Sequence, residues 1–158
     1  MVAAVLGAVL AGWGGLARSG WSWPAGDLPG EHGPLMILGF LGTLIGMERA
    51  VSVGARWAYV APLASVLGGV AWFSSLPDSV AQWFWLVAGL GLVAIFASIL
   101  RQQPSLHGAV LLLGSLLWML AVALWLGHWF VFEVSPLLAG SLVVTIAGER
   151  LELSRLAL

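Results

Sequence analysis

The chain contains no cysteine, no lysine and no asparagine. The first absence excludes disulfides, iron–sulfur clusters and thiolate zinc sites. The second excludes a Schiff-base lysine and a P-loop lysine, and the third an N-glycosylation site. Charge is scarce as well. Six arginines and seven carboxylates make up 8% of the 158 residues, where soluble domains carry about 25%. The net charge of −1 leaves no basic face for nucleic acid. The hydroxyls are scattered, no triad can be assembled from them, and neither G-x-S-x-G nor H-E-x-x-H occurs. Hydrolase chemistry therefore has no support, and the chain is not read as an enzyme.

What the chain has instead is hydrocarbon. Hydrophobic residues are 61% of it, and a water-facing surface cannot be built from the remainder. Its length accommodates six apolar segments of about 20 residues, each enough to cross a bilayer as a helix. The segments are continuously apolar, without the period-two alternation of a membrane β-barrel. The expected fold is all-α: one domain over 1–158, a bundle of six transmembrane helices in the lipid bilayer. The spans are expected near 2–17, 31–50, 57–76, 80–100, 105–126 and 136–153. The first lacks the positive n-region of a signal peptide and is read as a span. Breaks fall at the loop RSGWSWPAGDLPG (18–30), at 51–56, at SSLPDS (74–79), at RQQP (101–104) and at 127–135.

Arginine placement sets the orientation. With six spans, one side holds Arg49, Arg56, Arg101, Arg150 and Arg155, and the other holds only Arg18. By the positive-inside rule both termini are expected to face the cytoplasm; the expected location is a bacterial inner (plasma) membrane. The outer side carries Asp27, Glu31, Asp78 and Glu133. An outer aromatic belt is expected from Trp13, Trp21, Trp23, Trp72, Trp83, Trp85, Trp125 and Trp129, with Trp57 and Tyr59 at the inner interface.

Two internal similarities compete. HGPLMILGFL (32–41) matches HGAVLLLGSL (107–116), three spans apart and hence inverted. PLMILGFLGTLIGMER (34–49) matches PLLAGSLVVTIAGER (136–150) with one gap, four spans apart and hence parallel. The second shares Pro-Leu, Thr and a Glu-Arg ending. A repeat that begins so late implies a piece of a longer protein.

Ionisable groups inside spans are functional candidates by default. Glu48-Arg49 and Glu149-Arg150 each close a span on the inner side, as paired gates or a proton entry, or as charges tolerated at a helix end. His32 and His128 share the outer depth and are candidate ligands for a b-type haem or a metal ion, with His32 the metal candidate; His107 lies alone on the inner side. Met36, one turn after His32, is a possible second ligand or a packing residue. Gly39, Gly42 and Gly46, with Ala3, Gly7, Ala11 and Ala4, Ala8, Gly12, form small-residue faces suited to close helix packing, to a membrane-protein partner or to a homo-oligomer.

The run His32-Gly33-Pro34-Leu35-Met36-Ile37-Leu38-Gly39-Phe40 reads H-x-x-x-M-x-x-G-F. It resembles the helix-start motif of the NnrS family, polytopic bacterial membrane proteins associated with nitric oxide and haem–copper physiology. The resemblance implies His32 as a haem b or copper ligand, with Met36, Gly39 and Phe40 as the positioning face. Where that family often carries a second His and a Glu, this chain has Pro34 and Leu35. Three readings of function follow: a haem- or metal-binding membrane protein, a permease-like half for a small solute, and a non-catalytic subunit packed against a partner.

Overall fold

The computed structural model describes residues 2–22 and 32–154. Among them every regular element is helical, and six helices follow one another along the chain. They are α1 (Val2–Arg18), α2 (His32–Val53), α3 (Val60–Trp72), α4 (Asp78–Gln102), α5 (Leu106–Leu126) and α6 (Val131–Ser154). Four of them, α2, α4, α5 and α6, are long and apolar enough to cross a membrane. Trp23, Asp27, Glu31 and Arg155 lie outside the described residues.

The helix ends follow from local chemistry. Pro77 precedes α4, and Asp78 sits in its first turn, where the helix dipole favours an anion. The Ser105 hydroxyl caps α5 by accepting the Gly108 N–H at 3.2 Å. Gly54 closes α2 at φ 68°, a left-handed conformation that costs glycine nothing. His128 takes the same role after α5 at φ 70°.

Three expectations need correction. Span six begins at Val131 rather than 136, so Pro136 lies inside the helix. Proline there leaves the Phe132 carbonyl without its usual amide donor, and the Ser135 hydroxyl donates to it instead at 2.8 Å. Glu133, read as an outer acid, also caps this helix by accepting the Phe130 N–H at 2.8 Å. Second, α2 is not a plain α-helix. Residues Leu35–Leu41 are wound as a π-helix, in which the Gly42 N–H reaches back five residues to the Ile37 carbonyl. Third, the tryptophans expected in one outer belt divide. Trp21, Trp83 and Trp129 are exposed, but Trp85 is fully buried and packs with Trp72 and Trp125 at ring-centroid distances of 5.4 and 5.9 Å.

Consecutive helices pack side by side, most extensively α3 on α4, α4 on α5 and α5 on α6, while α1 leans on the π-helical part of α2. The tryptophans sit in the middle of this stack. The Trp85 indole donates to the Ser65 carbonyl at 3.3 Å, and the Trp118 indole to the Trp85 carbonyl at 3.4 Å. Gly42 makes room for them, since a β-carbon there would overlap Trp118 and the Ser65 hydroxyl. Gly46 packs less tightly against Pro62, whose nearest atoms would stand 3.1 Å from a β-carbon there. These two glycines serve close packing between helices.

Candidate functional site

One charged side chain is buried in the described structure, and it is Arg49, 7% exposed in the last turns of α2. Its guanidinium donates through Nη1 to Glu152 Oε2 at 3.1 Å and through Nη2 to Glu149 Oε1 at 3.4 Å. Glu48 Oε1 stands 3.9 Å away, and the guanidinium carbon lies 5.7 Å from the centre of the Phe96 ring on α4. The Arg49 Nε is buried without a partner. One cation thus faces three carboxylates, and it links α2 to α6 across α4.

Of the four expected gating residues the structure brings three together, Arg49 with Glu149 and, at the edge of the cluster, the largely exposed Glu48; Arg150 faces outward. Aligning 34–49 with 136–150 accounts for the choice. Thr43 and Gly46 are buried on α2, as their counterparts Thr145 and Gly148 are on α6. Met47 is the extra residue of the first copy. It advances the helix by about 100° between glycine and Glu-Arg, so arginine turns inward in one copy and glutamate in the other. The two copies become complementary in charge. Glu152 was missed by the sequence reading. Its signal was its spacing: three residues after Glu149, it shares that face.

His32 opens α2 and packs against α1. Its Nδ1 is hydrogen-bonded to the Ala11 carbonyl oxygen, and its ring lies against Gly15, where a β-carbon would stand 3.0 Å from Cε1. A carbonyl oxygen only accepts, so the proton of the neutral imidazole is on Nδ1 and the lone pair is on Nε2. His128 is exposed in the turn after α5, and His107 sits at the start of α5 with Nε2 3.2 Å from the Ser105 hydroxyl. The three histidines therefore stand on separate elements, and among the described residues no group of three or more His, Asp or Glu converges on a metal-sized site. Met36 is half-buried within the π-helical segment.

An apolar groove of about 500 Å³ opens between α1, α2 and α3. Its walls include Leu10, Leu35, Gly39, Thr43, Ser65 and Val70. The two hydroxyls are turned onto backbone: Thr43 Oγ1 donates to the Gly39 carbonyl at 2.6 Å and Ser65 Oγ to the Leu38 carbonyl. Ser98, Ser115 and Ser141 likewise donate to carbonyls three residues back.

No curated protein and no solved structure matches the chain. A family model described as "Domain of unknown function (DUF8744)" matches residues 1–158, and the chain belongs to that family.

Proposed function

We propose that this chain is an integral protein of the bacterial inner membrane, with six spans and both termini in the cytoplasm, and that His32 is its ligand for a haem or metal ion. The topology is supported by the arginine bias and by the helix lengths. The 17 residues of α1 rise about 26 Å. The 13 residues of α3 rise about 20 Å, and the 3₁₀ turn Arg56–Tyr59 before it adds about 8 Å, together close to the 30 Å hydrocarbon core.

The observation that carries the ligand reading is the bond from His32 to Ala11. A ligating histidine characteristically donates its other ring N–H to a carbonyl or carboxylate, which fixes the tautomer and orients the ring. Here Ala11 supplies that carbonyl and Gly15 the flat seat. His32, held through Ala11, would suit a group that needs a single protein imidazole, such as a haem, better than a closed metal cage. Bound there, such a group supplies redox chemistry or a site for a small ligand. The chain's part would be to fix the ring through the Ala11 carbonyl and the close approach to Gly15. The NnrS resemblance of residues 32–40 points the same way. A permease for polar solutes is less well supported, because Thr43, Ser65, Ser98, Ser115 and Ser141 all spend their hydroxyl protons on backbone.

The test is an absorption spectrum of detergent-purified protein, oxidised and reduced, with metal analysis of the same sample. The expected result is a Soret band or stoichiometric metal that is lost in His32→Ala, reduced in Gly15→Val and kept in His107→Ala and His128→Ala. A colourless, metal-free protein, or a signal indifferent to His32→Ala, overturns the ligand reading. Because the chain has no cysteine, single substitutions at Ser19, Ser52, Ser75 and Gln103 report topology without background. Ser52→Cys and Gln103→Cys should be labelled only from the cytoplasmic side, and Ser19→Cys and Ser75→Cys only from outside.

A further inference from the structure

We infer that the groove between α1, α2 and α3 is a binding site for one acyl chain of a bilayer phospholipid. The inference rests on the membrane reading above and is independent of the His32 ligand.

Three features of the groove specify the occupant. Its polar atoms are few and their protons are committed: the hydroxyls of Thr43, Ser65 and Ser74 donate to the Gly39, Leu38 and Ala71 carbonyls and offer a guest no hydrogen-bond donor. A molecule seated there receives no hydrogen bond from the wall and gains mainly apolar contact, which an apolar guest fits best. Second, the space is real at the level of the backbone. A β-carbon at Gly39 or at Gly69 meets nothing within 4 Å, although both residues lie in the groove wall, whereas at Gly42, one turn further along α2, it would collide with Trp118 and Ser65. The π-helical winding of Leu35–Leu41 offsets that turn from the regular helix that follows, and Leu35 and Gly39 lie in the wall while Gly42 stays in the packed core.

The third feature is the mouth. Leu6 and Val70, which flank the groove, are 56% and 62% exposed, and they continue into exposed Val5, Val9, Leu63 and Leu67 on the same two helices. In a bilayer that surface is bathed in acyl chains, so the groove is an indentation of the lipid-facing wall. A linear, flexible chain enters it sideways without leaving the hydrocarbon phase.

The experiment uses the full chain in phosphatidylethanolamine and phosphatidylglycerol vesicles that contain a small fraction of phosphatidylcholine with a diazirine in its sn-2 chain. After illumination, cross-linked peptides are mapped by mass spectrometry. The expected result is labelling concentrated in 35–43 and 65–74, at least several-fold above the exposed leucines of α4–α6. Gly39→Leu and Gly69→Leu should lower it several-fold, and Gly12→Leu, an open glycine outside the groove wall, should leave it unchanged. Thermal unfolding of each variant confirms that it is folded, and a variant that does not fold is replaced by Gly39→Val or Gly69→Val. Labelling spread evenly over all lipid-facing helices, or labelling indifferent to the filled groove, overturns the acyl-chain site while leaving the membrane reading intact. A protein that takes up no label anywhere overturns both.

Discussion

Truncating Arg49 tests whether the buried ionic cluster holds the bundle together. The Arg49 side chain is 8% exposed, but Glu149 and Glu152 are 33% and 38% exposed. Removing one partner of a fully buried pair costs about 3–5 kcal/mol, and an exposed pair contributes only about 0–1 kcal/mol. Here the orphaned carboxylates turn toward water, so the cost falls between. Arg49→Met should lose about 2 kcal/mol, including roughly 0.5–1 kcal/mol from the contact with Phe96. For a chain of this size that is a fall in Tm of roughly 4–8 °C, read from the fluorescence of ten tryptophans in detergent. Arg49→Lys keeps the charge but loses the fork that reaches two acids, and should fall about half as far. Glu149→Gln and Glu152→Gln should each cost less than Arg49→Met, because the other acid remains. The decisive quantity is the coupling between Arg49→Met and Glu152→Gln, expected at about 1 kcal/mol and shrinking as salt is raised. Zero coupling, with Arg49→Met as stable as the parent, would refute the reasoning and leave the cluster a surface accident.

Other outcomes follow from packing and backbone geometry. Trp85→Ala, in a fully buried and hydrogen-bonded position, should cost about 3–5 kcal/mol. Trp72→Phe removes a buried indole N–H that has no acceptor and should cost under about 1 kcal/mol, measured in the same unfolding assay. Gly42→Leu should destabilise by about 3 kcal/mol or more, or prevent folding, because its side chain meets Trp118. His128→Gly should raise Tm by roughly 1–3 °C by relieving the positive φ at an exposed turn.

Much of this fold was written in local composition. Each apolar segment became a helix, and the breaks at 51–56, SSLPDS and RQQP fall at helix ends because Pro, Gly and charge act where they stand. Three features were not legible because they depend on neighbours. Trp83 and Trp85 are the same residue type at the same depth, yet one is 59% exposed and the other fully buried. Two positions apart on a helix they point to nearly opposite sides, and only the placement of α3 and α5 decides which side is core. The π-helical turn has an ordinary apolar sequence, LMILGFL; its winding goes with the burial of Gly42 under Trp118, a contact 76 positions along the chain. Pro136 read as a helix start because proline favours that place, but Ser135 compensates for it one turn further in. For the site, the Glu-Arg endings were visible as a pattern. Which member of each turns inward was set by the single extra residue, Met47, whose effect is a rotation rather than a composition. The His32 bond to Ala11 joins two helices through a backbone atom, which no side-chain motif encodes.

The sequence distance across the Arg49 cluster has a consequence for biosynthesis. Its partners Glu149 and Glu152 follow it by 100 and 103 residues. When α2 leaves the ribosome, four helices must still be made before the arginine meets the two carboxylates of the last one; until then only the neighbouring, exposed Glu48 stands by it. At about 5–20 residues per second, that interval is on the order of 5–20 seconds. Throughout it the guanidinium needs water or lipid phosphate, which a position near the helix end supplies and a position at mid-span would not. Arrival of α6 then supplies Glu149 and Glu152, so closure of the cluster marks the completion of the bundle.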